Sequence, residues 1–262
     1  MSRTYSKTWQ PAHGLCFLSR HMLLTLMLGG RQKRGTTDLR VEANEALSTL
    51  REVVLMPRDL APVLPQTDHQ DDVVVLVHGF FASAGVFRPL RHKLERELGA
   101  KVASFTHPPG AGVRTIARSL AKLVDRIPEN TRIHIVGHSL GGVVARWYVQ
   151  ELGGYARVTQ TFSLGSPFRG TRVAHPFPFL VGADLHTKSR LLQRLRDRAH
   201  EVRVPHTSIL GDADRLIVPQ DSAILPSGDV ALFTGLGHNA LLYDKRVQAL
   251  IADRVKTVRP LA

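Results

Sequence analysis

The sequence holds a single cysteine, Cys16, in 262 residues, so no disulfide can form within the chain. Stability must come from a packed core, and the chain is long enough to bury one. The lack of disulfides does not fix a compartment, because secreted enzymes can lack them too. Acids are scarce: 22 Asp and Glu stand against 35 Lys and Arg, a formal net charge of +13. That imbalance predicts an anionic partner, whether lipid surface, nucleic acid or acidic substrate. Zinc-finger spacing, an RNP-type aromatic motif and any dense Lys/Arg block are all missing, which excludes the familiar nucleic-acid modules. No apolar run reaches the roughly 20 residues that span a bilayer.

Metal and cofactor signatures are missing as well. There is no HExxH, no cysteine pair, no calcium loop with its glycine, no Walker A and no GxGxxG. No cofactor and no metal are expected.

The charge is uneven. Residues 1–35 carry Arg3, Lys7, Arg20, Arg31, Lys33 and Arg34 with no acid. Residues 22–28 (MLLTLML) resemble the core of a signal peptide, but they are short and lack a clear small-x-small cleavage site. Residues 1–38 therefore read as a basic tail, disordered or lying on a membrane surface. A second basic run spans 186–203, with Lys188, Arg190, Arg194, Arg196, Arg198 and Arg203 against Asp197 and Glu201. It suits either an anionic lipid surface or a solvated helix face.

Residues 39–56 have apolar side chains at helical spacing: Leu39, Ala43, Ala46, Leu47, Leu50 and Val54. Pro57 ends that helix, and a polar connector runs to residue 72. Strands are predicted at 73–77, 101–105, 132–136, 159–164, 205–210 and 230–233. Helices are predicted at 83–98, 113–126, 140–152 and 246–258. Strands interleaved with helices predict βαβ units and a mainly parallel sheet, an α/β fold over residues 73–262. The stretch of about 168–203 is too long for a simple crossover and reads as a small cap over the carboxyl ends of the strands. Within it Phe177, Phe179, Leu180 and Val181 suggest an apolar entrance.

Four motifs carry chemistry. Gly137-His138-Ser139-Leu140-Gly141 is a G-x-S-x-G between an apolar strand and an apolar helix. That context makes Ser139 a candidate nucleophile on a strained turn, its Oγ at a helix N-terminus that favours negative charge. His78-Gly79-Phe80-Phe81 follows the first strand. The amides of Phe80 and Leu140 are the candidate oxyanion donors, with His78 in a structural role. Gly211-Asp212-Ala213-Asp214 follows the fifth strand. Asp214 is favoured as the acid that orients a histidine. Asp212 reads as a turn residue, and Asp221 is a weaker rival. Gly235-Leu236-Gly237-His238 follows the last strand. Of thirteen histidines, His238 stands out because Ser139, Asp214 and His238 occur in the chain order of α/β-hydrolases. His138 should turn away from the nucleophile. His186, His200 and His206 read as solvated or cap residues.

Together these stretches resemble the α/β-hydrolase superfamily, in its lipase and esterase group. They are similar to small bacterial triacylglycerol lipases and inositol-deacylase-like lipases. The matching pieces are VVVLVHGFFAS, IHIVGHSLGGVVARWYV, FSLGSPFRGT, GDADRLIVPQDSA and GLGHNALLYDKRV, across roughly residues 73–247. The chain departs from the pattern at Phe80-Phe81, where many relatives have Gly, and in one extra residue between Asp214 and Val-Pro. The resemblance implies hydrolysis of carboxylic esters, acyl-glycerols or similar lipids, through a Ser-Asp-His triad. A small-ester esterase, a thioesterase, an acyltransferase or a silent binding protein could share the same residues. The expected partners are a small-molecule or lipid ester and, peripherally, an anionic membrane.

Overall fold

The computed structural model describes residues 39–67, 72–174 and 181–257. Helix α1 (Leu39–Leu55) precedes β1 (Asp72–Val77), a 3₁₀ turn at Ala84–Phe87, α2 (Arg88–Leu98) and β2 (Lys101–Ser104). There follow α3 (Val113–Val124), β3 (Arg132–His138), α4 (Leu140–Glu151) and β4 (Val158–Leu164). The short helices α5 (Val181–Asp184) and α6 (Arg190–Asp197) lie between β4 and β5 (His206–Gly211). The described chain closes with β6 (Asp229–Phe233), the single turn α7 (Ala240–Tyr243) and α8 (Lys245–Thr257). The basic tail and the apolar residues Phe177, Phe179 and Leu180 fall outside the described residues.

The six strands form one sheet in the order β2-β1-β3-β4-β5-β6, and every neighbouring pair is parallel. The unbroken apolar run of β1 has a direct cause. Val73, Val75 and Val77 face the core beneath α3 and α4, while Val74 and Leu76 face the core beneath α2 and α8. A strand covered on both sides has no polar face to show.

Chain order reverses at β1: β2 pairs with one of its edges and β3 with the other. That reversal opens a crevice at the carboxyl ends of β1 and β3, where ligands bind in open α/β sheets. The loops carrying Phe80 and Ser139 leave those two strands side by side, since Val77 pairs with Gly137.

Where a single helix over 83–98 is predicted, the structure has a 3₁₀ turn and then α2. Ser83 accepts a hydrogen bond from the Gly85 N–H, and Pro89 stands in the first turn of α2. Helix α1 forms as its spacing predicts, but its polarity is reversed. Ser48 is its one buried residue, while Leu39, Leu47, Leu50, Val53 and Val54 are exposed. The helix is attached to the body by its polar side.

Candidate active site

The G-x-S-x-G turn needs a close approach between helix and strand. A Cβ on Gly141 would fall on the Val77 carbonyl oxygen, so α4 could not reach β1 with any side chain there. Ser139 sits between β3 and α4 with φ 53° and ψ −119°. A non-glycine residue in that region stores roughly 1–3 kcal/mol of strain, held here by the flanking strand and helix. Its N–H donates to the Leu164 carbonyl at the end of β4, 2.8 Å away. Ser139 itself is partly exposed, unlike its buried neighbours on both sides.

Leu140 is the first residue of α4, so its N–H has no carbonyl within the helix to bond. Phe80 is half-buried against the core beneath α3, and Phe81 beside it is 61% exposed. The two rings lie 4.1 Å apart. Phe81 has φ 53°, which turns its side chain out of the loop.

His78 is fully buried and bonded to backbone. Its Nδ1–H donates to the Gly79 carbonyl at 2.8 Å, and its Nε2 accepts the His107 N–H at 3.1 Å. Burial and the neighbouring His107 push its pKa down to about 3.

Three acids compete at the carboxyl ends of β5 and beyond, and they go to different partners. Asp214 Oδ2 accepts His238 Nδ1–H at 2.7 Å, and both residues are buried. Asp214 Oδ1 accepts the amides of Leu216 and Ile217, at 2.8 and 3.0 Å. Asp212 accepts the Gly235 N–H at 2.7 Å, and Asp221 pairs with Arg169. Burial alone would raise Asp214, but His238 and the two amides hold its carboxyl below the usual range. Burial also works against a charged His238. Asp214, Glu45 and Glu52 overcome it, and the imidazole pKa is raised above its ordinary value.

A Cβ on Gly165, directly after the Leu164 carbonyl that holds Ser139, would lie 3.0 Å from both Asp214 Oδ2 and His238 Nδ1. The structure thus brings His238 and Asp214 together, beside the strand end whose Leu164 carbonyl bonds the Ser139 N–H. His138 also lies close to His238. Its ring centroid is 4.7 Å away, and its Nε2–H donates to the His238 carbonyl at 3.3 Å.

The sequence reading of His206 needs correction. It is neither solvated nor part of a cap. It begins β5, is 3% exposed, and its two ring nitrogens meet Thr161 and Ser163 at 2.8 and 3.1 Å. Strands β4 and β5 pair with Thr161 opposite His206, so two hydroxyls satisfy a buried imidazole. The basic run makes specific contacts. Arg194 and Arg198 both bind Glu151, and Arg196 donates to the Phe168 carbonyl. Val181, counted with the entrance, is buried in the core.

Sequence reasoning missed one participant. Glu45 of α1 accepts the N–H groups of Asn239 at 2.8 Å and Ala240 at 3.0 Å, immediately after His238. Nothing in the α1 sequence marks it. The trace lies at Gly237, where a Cβ would collide with the Glu45 carboxylate.

Among the described residues no group of three His, Cys, Asp or Glu side chains could hold a metal ion. The chemistry on offer is a hydroxyl on a strained turn, an imidazole of raised basicity, a buried carboxylate and amides at a helix start.

Residues 67–196 match the family described as "Putative serine esterase (DUF676)". Solved structures similar to this chain include Aspergillus fumigatus lipase B, at 20% identity and TM-score 0.62, over 76% of this chain and 57% of that one. The mature Bacillus licheniformis lipase BlEst2 is similar at 13% identity and TM-score 0.61, over 74% of this chain and 96% of that one. A Mycobacterium tuberculosis chain described as a non-heme bromoperoxidase is similar to the same degree, at 13% identity and TM-score 0.61, over 76% and 98%. Identities this low speak for the fold, and one fold carries several chemistries. With its parallel sheet and its elbow serine, the chain has the α/β-hydrolase fold, and residues 67–196, just under half of it, are similar to a serine esterase family.

Proposed function

We propose that the protein hydrolyses carboxylic esters through Ser139, His238 and Asp214. The observation that carries this reading is the buried His238–Asp214 pair, packed against the strand end that fixes the strained Ser139. His238 Nε2 takes the Ser139 proton as Oγ bonds to the ester carbon. The amides of Phe80 and Leu140 hold the oxyanion. The same proton then goes to the alkoxide as the C–O bond breaks, leaving an acyl-enzyme. Water, deprotonated by His238, releases the acid and frees Ser139. Asp214 keeps the imidazole in the tautomer that leaves Nε2 open and stabilises the imidazolium.

The substrate we infer is a lipid-like ester, such as an acyl-glycerol. Exposed Phe81 beside the candidate oxyanion loop and the apolar outer side of α1 support it. So do the lipases among the similar structures. The excess of positive charge adds peripheral contact with anionic lipid to the same reading.

A fluorophosphonate probe tests the chemistry, because it should label wild type and leave Ser139→Ala untouched. A series of p-nitrophenyl esters tests the substrate. Peak activity at acyl chains of about eight carbons or more is expected, and a maximum at C2–C4 would remove the lipid reading.

A further inference from the structure

Helix α1 is held to the body by polar contacts, and these converge on the histidine loop. Glu45 Oε1 accepts the Asn239 N–H and Oε2 the Ala240 N–H, so one carboxylate spans two successive amides. Asn239 returns a bond through its side-chain amide to Thr49 Oγ1, 3.1 Å away. One helical turn ahead of Glu45, Glu42 pairs with Arg215, the residue after Asp214. The loop also has a shape made for this carboxylate, since any side chain at Gly237 would displace it. Two charge-assisted bonds to the backbone on one side of His238 and an empty position on the other fix the ring's attachment point.

We infer that Glu45 is a positioning residue for His238: its carboxylate holds the histidine loop in register and sets the place of the imidazole. The inference rests on the proposed role of His238 as the base for Ser139. Titratable groups face this histidine from three elements. Asp214 comes from the loop after β5, Glu45 and Glu52 from α1, and His138 from the end of β3. Asp214 bonds the ring directly, whereas Glu45 acts through the backbone and through its charge. Burial raises the pKa of Glu52 itself. This makes Glu45 the group whose removal should separate loop geometry from local charge.

The test uses the full chain carrying Glu45→Gln and, separately, Glu45→Ala. Glutamine keeps an acceptor and loses the charge, while alanine loses both. Histidine NMR, with the His238 signal assigned from a His238→Gln variant, reads the imidazole without any substrate. In Glu45→Gln the His238 midpoint should move to lower pH, and the acid limb of kcat/KM on p-nitrophenyl butyrate should move with it. In Glu45→Ala, kcat should fall about tenfold with KM within about twofold, the scale of losing one strong pair of bonds. A folded Glu45→Gln with wild-type midpoint and acid limb would overturn the proposal, whatever its melting temperature. A shifted midpoint in a protein whose wild type cleaves no ester would instead sink the esterase reading and leave the positioning intact.

Discussion

The rings of His78 and His107 stack 3.8 Å apart and 12° from parallel, directly behind the loop that bears Phe80. Three bonds lock the pair: His107 N–H to His78 Nε2, His107 Nε2–H to the His78 carbonyl, and His78 Nδ1–H to the Gly79 carbonyl. The stack therefore sets the path of the backbone just before the Phe80 amide. We expect His107→Ala to lower kcat about tenfold to a hundredfold with little change in KM, somewhat less than outright loss of an oxyanion donor. Steady-state kinetics on a short p-nitrophenyl ester checks this, and a pure KM effect would place the stack outside the catalytic geometry.

Buried histidines also set how the fold responds to acid. His78 and His138 are each pushed down to about 3 by burial, from an ordinary 6.5. The unfolded chain takes up these protons near pH 6.5, and the fold resists them until about pH 3. Stability from this source is whole above pH 6.5 and is lost as pH falls through that window, by about 1.4 kcal/mol per unit for each histidine. His238 runs the other way, because its pKa is raised and its contribution fades as pH climbs through the raised value. Urea midpoints at pH 7.5 and 5 should show a clear fall at pH 5. His78→Asn should flatten that difference even though it lowers both midpoints.

Asp214 and Asp212 stand two residues apart and do different work. One bonds the His238 ring and the other a loop amide. Asp214→Asn should cut kcat by about four decades, since an amide favours the wrong imidazole tautomer. Asp212→Asn keeps an acceptor for Gly235 and should stay within about threefold of wild type. Reversed effects would move the acid to Asp212.

Backbone strain at Ser139 gives an opposed pair of readouts. With φ at 53°, Ser139→Gly should remove both the nucleophile and the strain. Set against glycine's entropy cost, a net stabilisation of about 1 kcal/mol is expected, with no turnover. Thermal melts of Ser139→Gly and Ser139→Ala decide it: only the glycine variant should melt higher than wild type.

Much of this arrangement can be read from the chain because it rests on local patterns. The elbow is written in glycines whose absence of side chain the helix–strand approach demands. The apolar run of β1 announces a strand covered on both faces, and the order of Ser139, Asp214 and His238 is a property of the chain alone. Pairwise choices across the sheet are not legible in this way. The polarity of His206 points to the surface, and only the register of β4 against β5 supplies the two hydroxyls that let it lie in the core. The sequence already favours Asp214 over Asp212 and Asp221, and the structure adds their partners: the His238 ring, the Gly235 amide and Arg169. Helix α1 misleads in another way: periodicity detects an amphipathic helix but not which side it turns inward, and here the inward side holds Ser48, Glu45 and Glu52.

The contact between α1 and the histidine loop also bears on where a functional fragment can begin. The family match starts at residue 67, downstream of α1, so a chain trimmed to that boundary would keep Ser139, Asp214 and His238. It would also leave the amides of Asn239 and Ala240 without their carboxylate and uncover the buried side of the last strand's loop. On the proposed reading such a fragment would keep the three side chains and lose the contact that places one of them, so a chain starting at Leu39 should be more active than one starting at residue 67.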